Sequence, residues 1–345
     1  MNDHPTTNSR EQKRGYRFWL LPGLLGVVLT VAALLLAGAV YQALTTRADA
    51  RHYPAPGEMV DVGGYKLHVY CTGSGSPTVI LDALFPGTVS NWAWVQPEIA
   101  QTTRVCAYDR AGLGWSDSGP EPYDARKQAQ ELHVLLTKAH ISGPFILVGH
   151  SLGGLTVRMF ADQYPDEVAG MVLIEGTNPD TWNRLGLPEG VGADRNQLAI
   201  APFLAKIGLF RLGLFPLPYA ADPDLPRQQQ LELQAFFDSA KSLETVRAVD
   251  NSFSSSLDQV RQAADLGPKP LAIVLGSKGD GSQALLQDLF AQQQAMSPDS
   301  FTSVIEGATH AGLVDNQQHA HQTSAVIQQV IEAVRTGQPL PLTPP

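Results

Sequence analysis

The residues best placed to do chemistry are Gly149-His150-Ser151-Leu152-Gly153-Gly154, a G-x-S-x-G pattern between an apolar run, Phe145-Ile146-Leu147-Val148, and a helix-compatible stretch at 155–160. A strand that turns sharply into a helix at such a pattern displays the serine hydroxyl at the tip of a strained elbow, with the next residue's N–H beside it. Ser151 is therefore the candidate nucleophile. Gly149 and Gly153 suit the elbow, because a side chain at either would collide with the neighbouring strand or helix. The competing reading, a chance pentapeptide in a loop, does not account for the flanking strand and helix. A serine hydroxyl is a weak nucleophile until a base takes its proton, and that base must come from elsewhere in the fold. Metal chemistry has no support. The only cysteines are Cys71 and Cys106, and none of the nine histidines falls at a ligand spacing. The expectation is thus no metal and no cofactor.

Several elements must position this serine. The chain has 345 residues, 43% of them hydrophobic, with a net charge of −9 and a pI near 5.4, which describes a globular protein and argues against a nucleic-acid partner. Residues 1–17 are polar, with Arg10, Lys13, Arg14 and Arg17 against Asp3 and Glu11, and read as a disordered cytoplasmic tail. Residues 18–46 carry no charge. A ~30 Å hydrocarbon layer takes about 20 helical residues to cross, so 18–44 reads as a transmembrane anchor in the lipid bilayer. A cleaved signal peptide has a shorter apolar core, roughly 7–15 residues, although Ala48-Asp49-Ala50 offers a small-x-small site for that alternative. Positive charge ahead of the span places the amino terminus in the cytoplasm and the rest outside.

Residues 45–57, with Pro54 and Pro56, read as a linker. The alternation in 59–71 puts Tyr65, Leu67, Val69 and Cys71 on one face and Lys66, His68 and Tyr70 on the other, with Gly63-Gly64 as the turn of an antiparallel hairpin. His68 is then a surface residue. Beyond it come unalternated apolar runs at 78–81, 105–108, 145–148, 171–174, 271–275 and 303–305, with helical stretches such as 125–139 and 285–296 between them. Strands buried on both faces have this pattern, so the fold class is α/β, a mostly parallel eight-stranded sheet that begins with an antiparallel hairpin. The sheet core takes in 58–176 and 266–336. The strandless interval 177–265 reads as a helical cap over the carboxyl ends of the strands, where ligands bind in such sheets. Residues 337–345 form a C-terminal tail.

Hairpin, parallel strands, elbow and insertion together resemble the α/β-hydrolase fold from about residue 57 to 336. T-R-V-C-A-Y-D-R-A-G-L-G-W-S (103–116) is similar to the capped branch that includes esterases, prolyl aminopeptidases and haloalkane dehalogenases. An apolar anchor joined to V-G-G-Y-K-L-H-V-Y-C-T-G-S-G-S-P-T-V and V-C-A-Y-D-R-A-G resembles bacterial membrane-anchored hydrolases of loosely defined substrate. The resemblance implies that His310, in E-G-A-T-H-A-G after the last strand, is the base. It implies an oxyanion hole from the N–H groups of Leu152 and Phe85, the latter in Asp82-Ala83-Leu84-Phe85-Pro86-Gly87, where relatives carry His-Gly-x-Pro or a glycine-rich run. Asp109 and Arg110 are expected to brace these loops rather than react. His150 is expected to turn away from the nucleophile and serve structure.

For the acid that orients His310 two positions stand open: Asp280, in G-S-K-G-D after the seventh strand, and Glu175, at the end of the sixth. The lean is to Glu175, whose strand-end position is unambiguous. The resemblance also sets the second strand beside the fourth, and so implies a Cys71–Cys106 disulfide. The activity implied is cleavage of an ester or related acyl bond of a small, apolar substrate through an acyl-enzyme. An aminopeptidase of the prolyl type and a catalytically silent binding module are the alternatives. The cap residues Leu198, Ile200, Phe203, Leu204, Ile207, Leu209, Phe210, Leu212, Leu214 and Phe215 either line an apolar cleft or pack the cap on the core. Oligomeric state is not legible.

Overall fold

The computed structural model describes residues 9–191, 194–217, 219–278 and 283–341, and the side chains of these apart from 9–21 and 283–287. A long helix, α1 (Ser9–His52), leads into the hairpin β1 (Glu58–Asp61) and β2 (Lys66–Thr72), followed by β3 (Thr78–Asp82), α2 (Val95–Ile99) and β4 (Val105–Tyr108). Then come α3 (Ala125–Lys138), β5 (Phe145–His150), α4 (Gly153–Gln163) and β6 (Val168–Ile174). The cap carries α5 (Thr181–Leu185), α6 (Arg195–Lys206), α7 (Arg227–Phe237) and α8 (Ala240–Arg261). The chain returns through β7 (Leu271–Gly276), α9 (Gln283–Gln294), β8 (Ser300–Ile305), α10 (Gly312–Asp315) and α11 (Gln317–Thr336).

The eight strands lie in the order β1-β2-β4-β3-β5-β6-β7-β8, with β2 antiparallel to both neighbours and the remaining pairs parallel. Side chains alternate across the sheet, and both faces are apolar. Ile80, Leu147, Met171, Leu173 and Ile273 meet the faces of α3, α4 and α8. Val79, Leu81, Ile146, Val148, Val172, Ile174 and Val274 meet α2 and α11 on the other side. Cys71 and Cys106 are register partners on β2 and β4 and are joined by a disulfide.

Three expectations are corrected. The 45–57 segment is not a linker throughout, because α1 runs unbroken to His52 and yields only before Pro54. Nothing in 45–52 breaks a helix, and the cap holds this turn: Gln42 Nε2 donates to the Asp238 carbonyl at 3.1 Å, and Arg211 pairs with Asp49 at 2.7 Å. The helix also begins at Ser9, inside the expected tail, where Arg10, Glu11, Gln12, Lys13 and Arg14 are all good helix formers. His68 is buried, not surface. Its face of β2 is covered by the loop after β4: Nδ1 lies 2.9 Å from Asp109 Oδ2, the ring packs at 5.0 Å on Trp115, and Nε2 accepts the Gly57 N–H at 3.2 Å.

Candidate active site

Strand register brings the candidate residues to one end of the sheet. Asp82 on β3 pairs with Gly149 on β5, and His150 on β5 pairs with Ile174 on β6, so the loop after β3, the elbow and the end of β6 are neighbours. Ser151 has φ of 54° and Glu175 has φ of 38°, a left-handed conformation that non-glycine residues seldom adopt outside strained functional turns. Ladder-like bonds hold both: the Ser151 N–H donates to the Ile174 carbonyl at 3.0 Å, and the Glu175 N–H to the Val274 carbonyl at 2.8 Å.

The elbow is tight enough to exclude side chains. A Cβ on Gly153 would stand 2.4 Å from the Asp82 carbonyl oxygen, and one on Gly149 would stand 2.7 Å from Val157 and 2.8 Å from the backbone of Gly153. Gly154, beyond the minimal motif, would press a Cβ to 2.9 Å from Gly176. Its place in the sequence as a second glycine was the only signal of that need.

Glu175 reaches His310. Oε2 lies 2.6 Å from Nδ1, and Oε1 accepts the Gly276 N–H at 2.8 Å, so the carboxylate is held from both sides. Asp280 lies outside the described residues. His150 serves structure, as expected, through a partner that the sequence did not name. Its ring lies 4.8 Å from the His310 ring, and its Nε2 is 3.0 Å from the His310 carbonyl oxygen, a contact that requires Nε2–H to donate. Burial, with the His310 ring beside it, pushes its pKa well below the ordinary range. His150 is therefore neutral and clasps the backbone of the residue that carries the base candidate. Position x of G-x-S-x-G gave no signal of this.

The loop that carries Phe85 is braced from beneath. Arg110 pairs with Asp82 at 2.5 Å and donates to the Ala83 carbonyl, while Tyr108 Oη donates to Asp82 Oδ2 at 2.9 Å. All three side chains are buried, and burial raises Asp82 above the usual carboxylate range against the opposing pull of Arg110. Asp109 accepts the N–H groups of Val89 at 2.8 Å and Trp115 at 3.0 Å, which ties the loops after β3 and β4 together. Among the described residues, neither the Phe85 nor the Leu152 N–H has a backbone partner. Ser151 Oγ and His310 Nε2 do not bond each other in this state. His310 is 47% exposed, so it has room to close on a bound group.

A sequence profile for the alpha/beta hydrolase family matches residues 73–325. The chain belongs to that family. Relatives are distant: YbdG of Bacillus subtilis, an uncharacterized protein, is 25% identical over 218 residues, which cover 62% of this chain and 65% of that one. Against its curated relatives more widely the chain spans 13–65% of their length. Cfl2 from Burkholderia cenocepacia superposes with a TM-score of 0.63 at 22% identity, over 79% of this chain and 95% of that one. A thermophilic esterase from Thermogutta terrifontis does so with a TM-score of 0.56 at 20% identity, over 80% and 97%. At such identities these structures speak to the fold, which the eight-stranded sheet with its antiparallel start shares.

Proposed function

We propose that this alpha/beta hydrolase cleaves an ester or related acyl bond with Ser151 as nucleophile, His310 as base and Glu175 as the orienting acid. The observation that carries the reading is the 2.6 Å contact of Glu175 Oε2 with His310 Nδ1 beside an elbow whose serine has a positive φ. A carboxylate at Nδ1 holds the proton there, so Nε2 is the free lone pair that takes the serine proton. Ser151 Oγ then adds to the acyl carbon, and the carbonyl oxygen becomes an oxyanion received by the N–H groups of Phe85 and Leu152. The C–O bond to the leaving group breaks as His310 returns the proton to it, leaving an acyl-serine. A water deprotonated by His310 repeats the sequence and releases the acid.

Esterases of the same fold, from Thermogutta terrifontis and Exiguobacterium antarcticum, support the substrate class. The α1 segment from Pro22 to His52 is long and apolar enough to cross a bilayer, and we read it as an anchor with the basic amino-terminal end on the cytoplasmic side. The test is a fluorophosphonate probe on the full chain, followed by hydrolysis of a panel of p-nitrophenyl esters. Labelling at Ser151 that is abolished in Ser151→Ala, with ester turnover lost in the same variant, is expected. Folded protein that takes no label and turns over no ester would leave a silent binding module as the better reading.

A further inference from the structure

The outer face of the cap is apolar and, among the described residues, uncovered. Ile200 and Phe203 on α6 are 55% and 56% exposed, and Leu212, Leu214 and Phe215 in the following turn are 51%, 65% and 46% exposed. Neither expected role, lining a cleft to the serine or packing the cap on the core, explains side chains that face outward. Ile200 and Phe215 also border a groove of about 350 Å³ whose other walls include Leu198, Leu204 and Phe210.

The position of this face relative to α1 decides what covers it. One stripe of α1, Gly38, Gln42, Thr45 and Asp49 at i, i+4, i+7 and i+11, is the side covered by the cap. Gly38 lies so close that a Cβ there would stand 2.3 Å from the Ile207 carbonyl oxygen, and Gly208 packs against Gly38 and Tyr41. Arg211 is fixed to the same stripe through Asp49 at 2.7 Å and through Gln42 Oε1 at 3.3 Å. If Arg17, the last of the basic cluster, marks the inner edge of the hydrocarbon, a ~30 Å layer ends about 20 residues further on, near Gly38. The cap therefore touches the helix at the level where the acyl chains end. Two cap cations that flank this contact in sequence, Arg211 and Lys206, are paired with Asp49 at 2.7 Å and Glu244 at 2.6 Å.

We propose that the cap is a second membrane contact, with Phe203, Leu212, Leu214 and Phe215 set into the leaflet from which α1 emerges and the groove beside them filled by lipid acyl chains. The proposal rests on the reading of α1 as an anchor. An apolar face of this kind enters about 5–10 Å into the headgroup and acyl boundary. Because both native cysteines are in the disulfide, single labels can be placed cleanly.

The experiment uses the full chain in lipid vesicles, with bimane on Phe203→Cys, Leu212→Cys or Leu214→Cys. Val27→Cys in α1 and Val304→Cys, exposed on β8, serve as references. Fluorescence is compared in vesicles of unbrominated lipid, of lipid brominated high on the acyl chain and of lipid brominated near its end. The cap positions should be quenched, most strongly by the shallow bromines, while Val304→Cys is not. Quenching at Val27→Cys with cap positions behaving like Val304→Cys would overturn the proposal and leave the anchor standing, including the case where the cap labels are shielded by a second copy of the chain. No quenching at Val27→Cys would remove the anchor reading itself.

Discussion

Glu175→Gln is the substitution whose effect the geometry defines most closely. The amide keeps the shape of the carboxylate, but its oxygen and nitrogen are no longer equivalent. In the parent, Oε1 accepts from the Gly276 N–H at 2.8 Å while Oε2 faces His310 Nδ1 at 2.6 Å. With glutamine, the Gly276 N–H pins the amide oxygen and turns the NH2 group toward Nδ1. Nδ1 must then accept, the proton moves to Nε2, and His310 no longer has a lone pair for the Ser151 proton. A wrong tautomer of this kind costs on the order of 10⁴ in kcat, or about 5 kcal/mol. The escape is to flip the amide, which restores the tautomer but sets NH2 against the Gly276 N–H. The hydrogen bond lost in this way, with the NH2 group facing another donor, costs about 1–3 kcal/mol, which corresponds to roughly 5- to 150-fold. The flip therefore sets the floor of the loss and the wrong tautomer its ceiling. The measurement is kcat on a p-nitrophenyl ester under saturating substrate, with circular dichroism to show an intact fold. A kcat for Glu175→Gln within ~3-fold of the parent, below the ~5-fold floor that the lost hydrogen bond sets, would refute the reasoning, provided Ser151→Ala is inactive. A collapse in Asp280→Asn under the same conditions would name the acid instead.

Gly153→Ala should lower both the melting temperature and kcat, since its Cβ would meet the Asp82 carbonyl at 2.4 Å and displace the loop that carries Phe85. Overpacking of this kind costs about 1–3 kcal/mol, and a variant with unchanged melting and turnover would contradict the close approach. Reduction of Cys71–Cys106, separated by 35 residues, should cost about 4 kcal/mol by loop closure, read as an earlier urea midpoint with dithiothreitol than without it. Asp315, the last residue of α10, is buried, with both oxygens 3.2 Å from Asn91 Nδ2, and burial raises its pKa to about 8. Its folded pKa lies above its unfolded one, so the folded state holds the proton longer, and stability falls as pH rises from the ordinary carboxylate range toward 8. Asp315→Asn should gain most in melting temperature over the parent at pH 8 and least near pH 4; a pH-independent difference would sink this account.

The fold was legible because parallel strands buried on both faces leave a plain trace: 105–108 coincides with β4, and 78–81 falls one residue short of β3. The disulfide partners were legible from the strand order that the family resemblance supplied. Glu175 could be named because it stands directly after β6, and His310 because the family resemblance supplied its place in the loop after the last strand. What failed did so where polar residues are buried against loops. His68 reads as the wet side of an alternating strand, and only the tertiary placement of Trp115 and Asp109 turns that side inward. The docking stripe of α1, with Gly38, Gln42, Thr45 and Asp49, has no apolar periodicity, so nothing local separates it from the lipid-facing sides. Asn91 and Asp315 are 224 residues apart and meet only in the folded chain.

The double hold on Glu175 has a consequence for how such a site can change. Its N–H is tied to Val274 and its carboxylate to Gly276, both on β7, while the Ser151 N–H is tied to Ile174 on β6. With Glu175 as the acid, nucleophile and acid share one rigid frame of adjacent strand ends, and Ser277 and Lys278 extend it toward the base, because Ser277 Oγ accepts the Gly307 N–H at 2.8 Å and the Lys278 N–H donates to the Ala308 carbonyl at 2.9 Å, just ahead of His310. With these groups held by backbone at the strand ends, the cap inserted after β6 is the part that can lengthen, shorten or be exchanged between relatives without realigning them, which makes it the natural place for selection, or an engineer, to graft new substrate contacts.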